Sequence, residues 1–267
     1  MKRLFSTLAM MSLLASCPRV EEPPPGPIAY PDLEKSPVQL TTFQDILSGE
    51  CVIRTSGFRN ERGLAVCTIS EIVDGCAFQT CELSPMGGEH VDIGLIRATS
   101  PCLGNGTTLS WGGTDYLQAR KRGSFAPEEL VHVTNSTISD VGHFELEVRV
   151  PTAPTGVSFG GCRGIDPTAP SPPACAAEGP SPLVEWSGGS HFVLVTLTAV
   201  DTHREKLICA FDAAPGRGAV PATALAKLRH DTAYEVKIGS AVLMSRSGEV
   251  GLQSFASTPD VFTRVKL

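Results

Sequence analysis

Aromatic side chains are scarce. Two Trp, three Tyr and 11 Phe occur in 267 residues, which argues against a broad platform on which bases or sugars stack. Positive charge is not in excess: the net charge is −6, so the electrostatic footprint of a nucleic-acid binder is missing. This mild acidity points to no particular partner. The apolar stretch from Leu4 to Leu14 covers only 11 residues, short of the roughly 20 that span a bilayer. The motifs of common chemistries are missing too. No H-E-x-x-H, phosphate-binding loop, EF-hand loop or S-x-x-K occurs. Gly188-Gly189-Ser190-His191 comes nearest to a nucleophile elbow, but it lacks the closing glycine and leads into a β-type run.

The chain is 42% hydrophobic and 19% charged, enough apolar residues for a packed core. Its length suits one large or two small all-β domains. With 26 Gly and 21 Pro it is rich in turns, which punctuate short strands more than long helices.

Lys2 and Arg3 precede the apolar stretch, and Leu14-Ala15-Ser16-Cys17 follows it. Positive, apolar and small-residue regions in that order read as a secretory signal. The last four residues resemble the lipobox of bacterial lipoproteins. That resemblance implies cleavage after residue 16 and lipidation of Cys17. Several acyl chains hold a protein firmly at about 0.8 kcal/mol per buried CH₂. Residues 17–40 then carry Pro18, Pro23, Pro24, Pro25, Pro27, Pro31 and Pro37. Proline lacks the N–H that a ladder needs, so this segment reads as an extended spacer between lipid and body.

Eight cysteines remain: Cys51, Cys67, Cys76, Cys81, Cys102, Cys162, Cys175 and Cys209. An even count in an exported chain reads as a disulfide framework, with on the order of a hundred possible pairings. Cys162 and Cys175 bracket a proline-rich loop, and a bridge would close it. The first five are an odd number, so one of them would then join Cys209 and tie the two halves together. Cys76-x₄-Cys81 falls outside the usual zinc spacing and has no matching second pair. No metal and no cofactor is implied.

Short β-type runs recur about every ten residues. They are Cys51–Arg54, Leu64–Ile69, Val91–Ile96, Thr107–Trp111, Leu130–Thr134, Phe144–Val150, His191–Val200, Lys206–Phe211, Tyr234–Ile238, Ala241–Met244, Val250–Phe255 and Val261–Val265. His191–Val200 and Lys206–Phe211 should pair as a hairpin across Asp201 to Glu205. Pro221 suits a first helical turn, and Ala222–Arg229 are good helix formers. The expected fold is mostly β: a disulfide-stapled β-sandwich, single or as two tightly linked Ig-like sandwiches, with one short helix. The expected divisions are a signal peptide over 1–16, a tether over 17–40, a β-rich half over 41–160, a loop over 161–180 and a second half over 181–267. Leu109–Gly113 resembles Val184–Gly189, and Gly142–Pro151 resembles Gly248–Ser257, a hint of duplication with an insertion.

Trp186-Ser187-Gly188-Gly189, a long strand, Ile208-Cys209-Ala210-Phe211, a glycine turn and Val220–Leu225 follow one another. This order, over about 185–255, resembles uncharacterised β-rich lipoproteins of GC-rich Gram-negative bacteria. The resemblance implies the architecture and a place in the cell envelope at the outer membrane; it implies no activity.

Six histidines are candidate ligands: His90, His132, His143, His191, His203 and His230. His90 with Asp92, and His143 with Glu145 and Glu147, share strand faces, where alternation alone already predicts polar residues. Asp201-Thr202-His203 suits a hairpin turn. Trp111 and Trp186 read as core anchors. Asn105-Gly106-Thr107 and Asn135-Ser136-Thr137 read as turns. The sequence therefore favours a non-catalytic module, anchored to a membrane, that binds an envelope protein or a glycan. The alternatives are a carbohydrate or peptide hydrolase with a dispersed site, and a purely structural surface protein.

Overall fold

Strict alternation shapes the body. In Phe192–Ala199 every second residue, Val193, Val195, Leu197 and Ala199, is buried. In Glu145–Arg149 Leu146 and Val148 turn inward while Glu145, Glu147 and Arg149 face out. A strand's period of two presents one apolar face that must be covered by a second sheet. A computed structural model of the chain describes residues 23–28, 38–45, 49–59, 65–83, 89–109, 119–136, 139–163, 175–248, 250–257 and 262–267. The fold is mostly β, with one short helix. The expected signal segment, Cys17, Trp111 and most of the expected 161–180 loop lie outside the described residues.

Among the described residues the strands form one 12-stranded sheet and two four-stranded sheets. The large sheet runs in the order Ala65–Val73, Cys76–Leu83, Glu205–Asp212, Phe192–Ala199, Tyr234–Ser247, Val250–Ser257, Val38–Asp45, Glu50–Arg59, Glu89–His90. Its other strands are Ala119–Arg122 beside Glu50–Arg59, Phe262–Lys266 beside Tyr234–Ser247, and Cys175–Ala176 beside Phe262–Lys266. One small sheet orders Glu145–Arg149, Leu130–Asn135, Ile96–Ser100, Gly104–Leu109; the other orders Cys162–Arg163, Pro154–Phe159, Leu183–Gly188, Arg217–Ala219. Each covers a different part of the large sheet. Leu40, Ile53, Val250 and Leu252 meet Ile96, Val131, Val133 and Leu146 in one core. Val193, Val195, Leu197 and Val236 meet Phe159, Val184 and Trp186 in the other.

The two sandwiches share the strand Tyr234–Ser247. Composition suggests two strands there, broken at Gly239-Ser240. The backbone instead runs straight through, because Gly239 pairs with Leu194 on one flank and Ser257 on the other, and Ser240 with Val193 and Ala256. Nor do the sandwiches follow the sequence halves 41–160 and 181–267. The Ala65–Leu83 hairpin pairs with Glu205–Asp212 and joins the second sandwich. Val250–Ser257 joins the first, in parallel with Val38–Asp45. Within that parallel pair the buried Thr42 hydroxyl donates to Ser254 Oγ at 2.9 Å.

Three disulfides are described. Cys51–Cys102 and Cys162–Cys175 each bridge the large sheet to a small one. Cys76–Cys209 joins neighbouring strands far apart in sequence. Cys81 is also disulfide-bonded, and Cys67 stands opposite it in register.

Other expectations need correction. Val91–Ile96 is not a strand before Ile96: Asp92 Oδ1 accepts the Gly94 N–H at 2.8 Å and Gly94 has φ +74°, an Asx turn that breaks the run. The helix covers only Ala222–Leu225. Beyond it the Lys227 and Leu228 amides bond three residues back, and the Arg229 amide leaves the series for Glu205 Oε1 at 3.0 Å. Asn105 lies within the Gly104–Leu109 strand, not in a turn. The first strand begins at Val38, inside the expected 17–40 tether.

Gly218 packs where no side chain fits: a Cβ there would come within 2.7 Å of Phe211 Cε1. The Phe211 ring is 6.0 Å from the Trp186 ring, whose Nε1 donates to Ala213 O at 2.9 Å. Gly218→Ala should therefore cost about 1–3 kcal/mol, read as a lower urea midpoint at constant slope. An unchanged midpoint would mean that the Phe211 ring has room to turn.

Candidate functional site

Two segments of the first sandwich, residues 99–105 around the turn at Cys102 and residues 126–132, form the walls of an open groove of about 790 Å³. Glu129 clamps them together. Its buried carboxylate accepts the Cys102 N–H and the Ala126 N–H, both at 2.8 Å. The Cys51 disulfide holds the same turn from the other side. Thr99, Ser100, Asn105, Pro127, Glu128 and His132 line the groove among others.

Glu128 is held in an uncommon way. Its φ is +59°, and His191, whose Nε2 lies 3.5 Å from Glu128 Oε2, has φ +61°. Non-glycine residues rarely adopt this region, and the surrounding structure must impose it. The Glu128 amide donates to Val150 O at 2.9 Å, and its carbonyl accepts from Arg149 Nη1 at 3.3 Å. Glu128 Oε1 is shielded from solvent and has no hydrogen-bond partner. The side chain as a whole is half-exposed on the groove wall, where a carboxylate can accept an N–H or O–H from a ligand.

The sequence-derived candidates distribute differently from their strand faces. His132 Nδ1 lies 2.6 Å from Glu147 Oε1 across the hairpin, so Glu147 pairs with His132 and not with His143. His143 Nδ1 lies 3.3 Å from Asn135 O. Among the described residues no three His, Cys, Asp or Glu side chains gather to hold a metal. Ser190 Oγ accepts the Thr152 N–H at 2.8 Å, while the adjacent His191 faces Glu128. Asn135 is buried, with its amide nitrogen donating to Ile93 O and Gly142 O and its oxygen accepting from Phe144 N. It serves as the hub of the 136–144 connection.

A second polar cluster lies at the far end of the other sandwich. Arg229 binds both Asp201 oxygens at 2.8 Å and reaches Glu205 Oε2 at 3.3 Å. The hydroxyl of fully buried Tyr234 donates to Glu205 Oε1 and accepts the Arg229 N–H at 2.9 Å. Burial, then the Glu205 carboxylate, pushes the Tyr234 phenol well above its usual range. The Arg229 hydrogen bond holds the Asp201 carboxyl below the ordinary carboxylate value. These groups satisfy one another, which is the arrangement of a structural clasp between the Asp201 turn and the strand at Tyr234.

Neither the Glu128–His191 contact nor the Arg229 clasp was visible in the sequence. Glu128 and His191 are 63 residues apart, Arg229 lies 24 and 28 residues from Glu205 and Asp201, and no motif links them. No protein-family model matches the chain, and no curated protein matches it.

The clasp has a pH signature. Because the folded state lowers the Asp201 value, its contribution is complete above the unfolded value near about pH 4 and is lost as pH falls through the folded one. Arg229→Gln should therefore lower the melting temperature at neutral pH and lower it less at about pH 2–3. Thermal melts at both pH values test this; an equal loss at both would remove Asp201 as the partner that matters.

Proposed function

We propose that this chain is a cell-envelope lipoprotein, anchored through Cys17, whose β body is a non-catalytic binding module for an envelope protein or a glycan. Leu14-Ala15-Ser16-Cys17, behind a positive and then an apolar segment, supports the anchor. The groove supports the binding role, and one observation carries it: the half-exposed carboxylate of Glu128, with one oxygen unpaired, stands on a wall that Glu129 and the Cys51–Cys102 disulfide hold. Both partner classes offer suitable donors, amide N–H groups from a protein and hydroxyls from a glycan.

Two experiments test the two parts. Mass spectrometry of the mature protein from a Gram-negative host should show a chain starting at Cys17 with added acyl mass, and Cys17→Ala should remain unprocessed and unacylated. The secreted 18–267 body, immobilised and challenged with native envelope extract and with a glycan panel, should retain one component. Glu128→Asn, which tolerates positive φ but shortens the side chain, should release it. Equal retention by parent and variant would place the site elsewhere. Release of cleaved glycan or peptide from the extract would favour the hydrolase reading.

A further inference from the structure

The proline-rich segment is not a free spacer along its whole length. Proline lacks an N–H, but its carbonyl still accepts. Pro25 O accepts the Ala219 N–H at 3.1 Å, and Ile28, just after Pro27, donates its N–H to Ala210 O at 2.8 Å. Ala210 stands one residue beyond Cys209, the last residue of its strand to pair with Cys76–Leu83. The arm thus continues that row and touches the edge strand Arg217–Ala219 of the facing sheet. Gly75, at the turn of the Ala65–Leu83 hairpin, completes the seat: a Cβ there would lie 2.7 Å from Ile28 O and 3.0 Å from Pro27 O.

Docking shortens the leash. Five residues separate Cys17 from Pro23, a reach of roughly 20 Å when fully extended. Beside the seat, Lys227 Nζ pairs with Glu71 at 2.8 Å and Thr223 donates to Asp74. On the same hairpin Ile72 is 57% exposed, one of two large apolar side chains so exposed among the described residues.

We propose that the face of the second sandwich carrying Pro23–Ile28 and the Glu71–Gly75 hairpin turn lies against the lipid surface. This rests on the Cys17 anchor. Leu95, the other exposed apolar side chain, follows the opposite end of the large sheet. Eight strand spacings separate those ends, roughly 40 Å.

The test uses the full acylated protein in vesicles carrying a dansyl headgroup lipid. Ile72→Trp and Leu95→Trp are compared with the parent for energy transfer, and acylation of Cys17 is checked by mass in every sample. Transfer should be greater from position 72 than from position 95. Ile28→Pro, which removes the N–H given to Ala210, should abolish that difference while the urea midpoint of the body and the acyl mass persist. Acylated protein with equal transfer from both positions, or more from 95, overturns the proposal. A difference that survives Ile28→Pro overturns it as well, since the arm then does not orient the body. Low transfer at 72 with dimers by mass photometry assigns the face to a second copy and overturns it. Absence of acyl mass on Cys17 identifies failure of the anchor itself, and the orientation falls with it.

Discussion

Continuity of the strand Tyr234–Ser247 underlies the whole body. Its first part buries Tyr234, Val236 and Ile238 in one core, and Val242 packs against the other. Phe192–Ala199 pairs with its residues 234–241 on one flank and Val250–Ser257 with residues from 239 to 247 on the other, so it carries the sheet from one sandwich to the next. Breaking it would separate the sheet into two open-edged pieces, and unpaired strand edges are costly and prone to aberrant pairing. Ser240 lies close to Gly189, where a Cβ would come within 3.1 Å of Ser240 Oγ. Ser240 Oγ accepts the Ser190 N–H at 3.4 Å.

Interleaving of the chain follows from that sharing. The chain passes from the first sandwich to the second and back more than once, so neither sequence half has a complete core of its own. The Cys76–Cys209 bond spans 133 residues of this path. In the chain-entropy account a loop of that size removes about 5 kcal/mol of freedom from the unfolded state. The oxidised body should behave as one cooperative unit in consequence.

Polar groups divide into those that hold the fold and those left available. Glu129, Asn135 and the Arg229 clasp bond within the protein and fix loops that carry few apolar side chains. Glu128 differs, with one oxygen toward His191 and one unpaired. Its left-handed backbone is imposed by the bonds of its own amide and carbonyl to the Glu145–Val150 segment and its end.

Local pattern determined much of this protein from the sequence alone. Alternation located Leu130–Asn135, Glu145–Arg149 and Phe192–Ala199, since a period of two is a local property. Proline spacing around Cys162 and Cys175 marked a loop that their bond closes. The odd count of earlier cysteines required one of them to reach Cys209, and Cys76 does. Tertiary structure alone decided the rest. Whether Gly239-Ser240 ends a strand depends on neighbours at 193–194 and 256–257. Whether Arg229 continues a helix depends on Glu205 and Tyr234. Whether a proline-rich arm docks depends on a carbonyl at Ala210 and an amide at Ala219. Each outcome turns on hydrogen-bond partners distant in the chain, and periodicity carries no information about them.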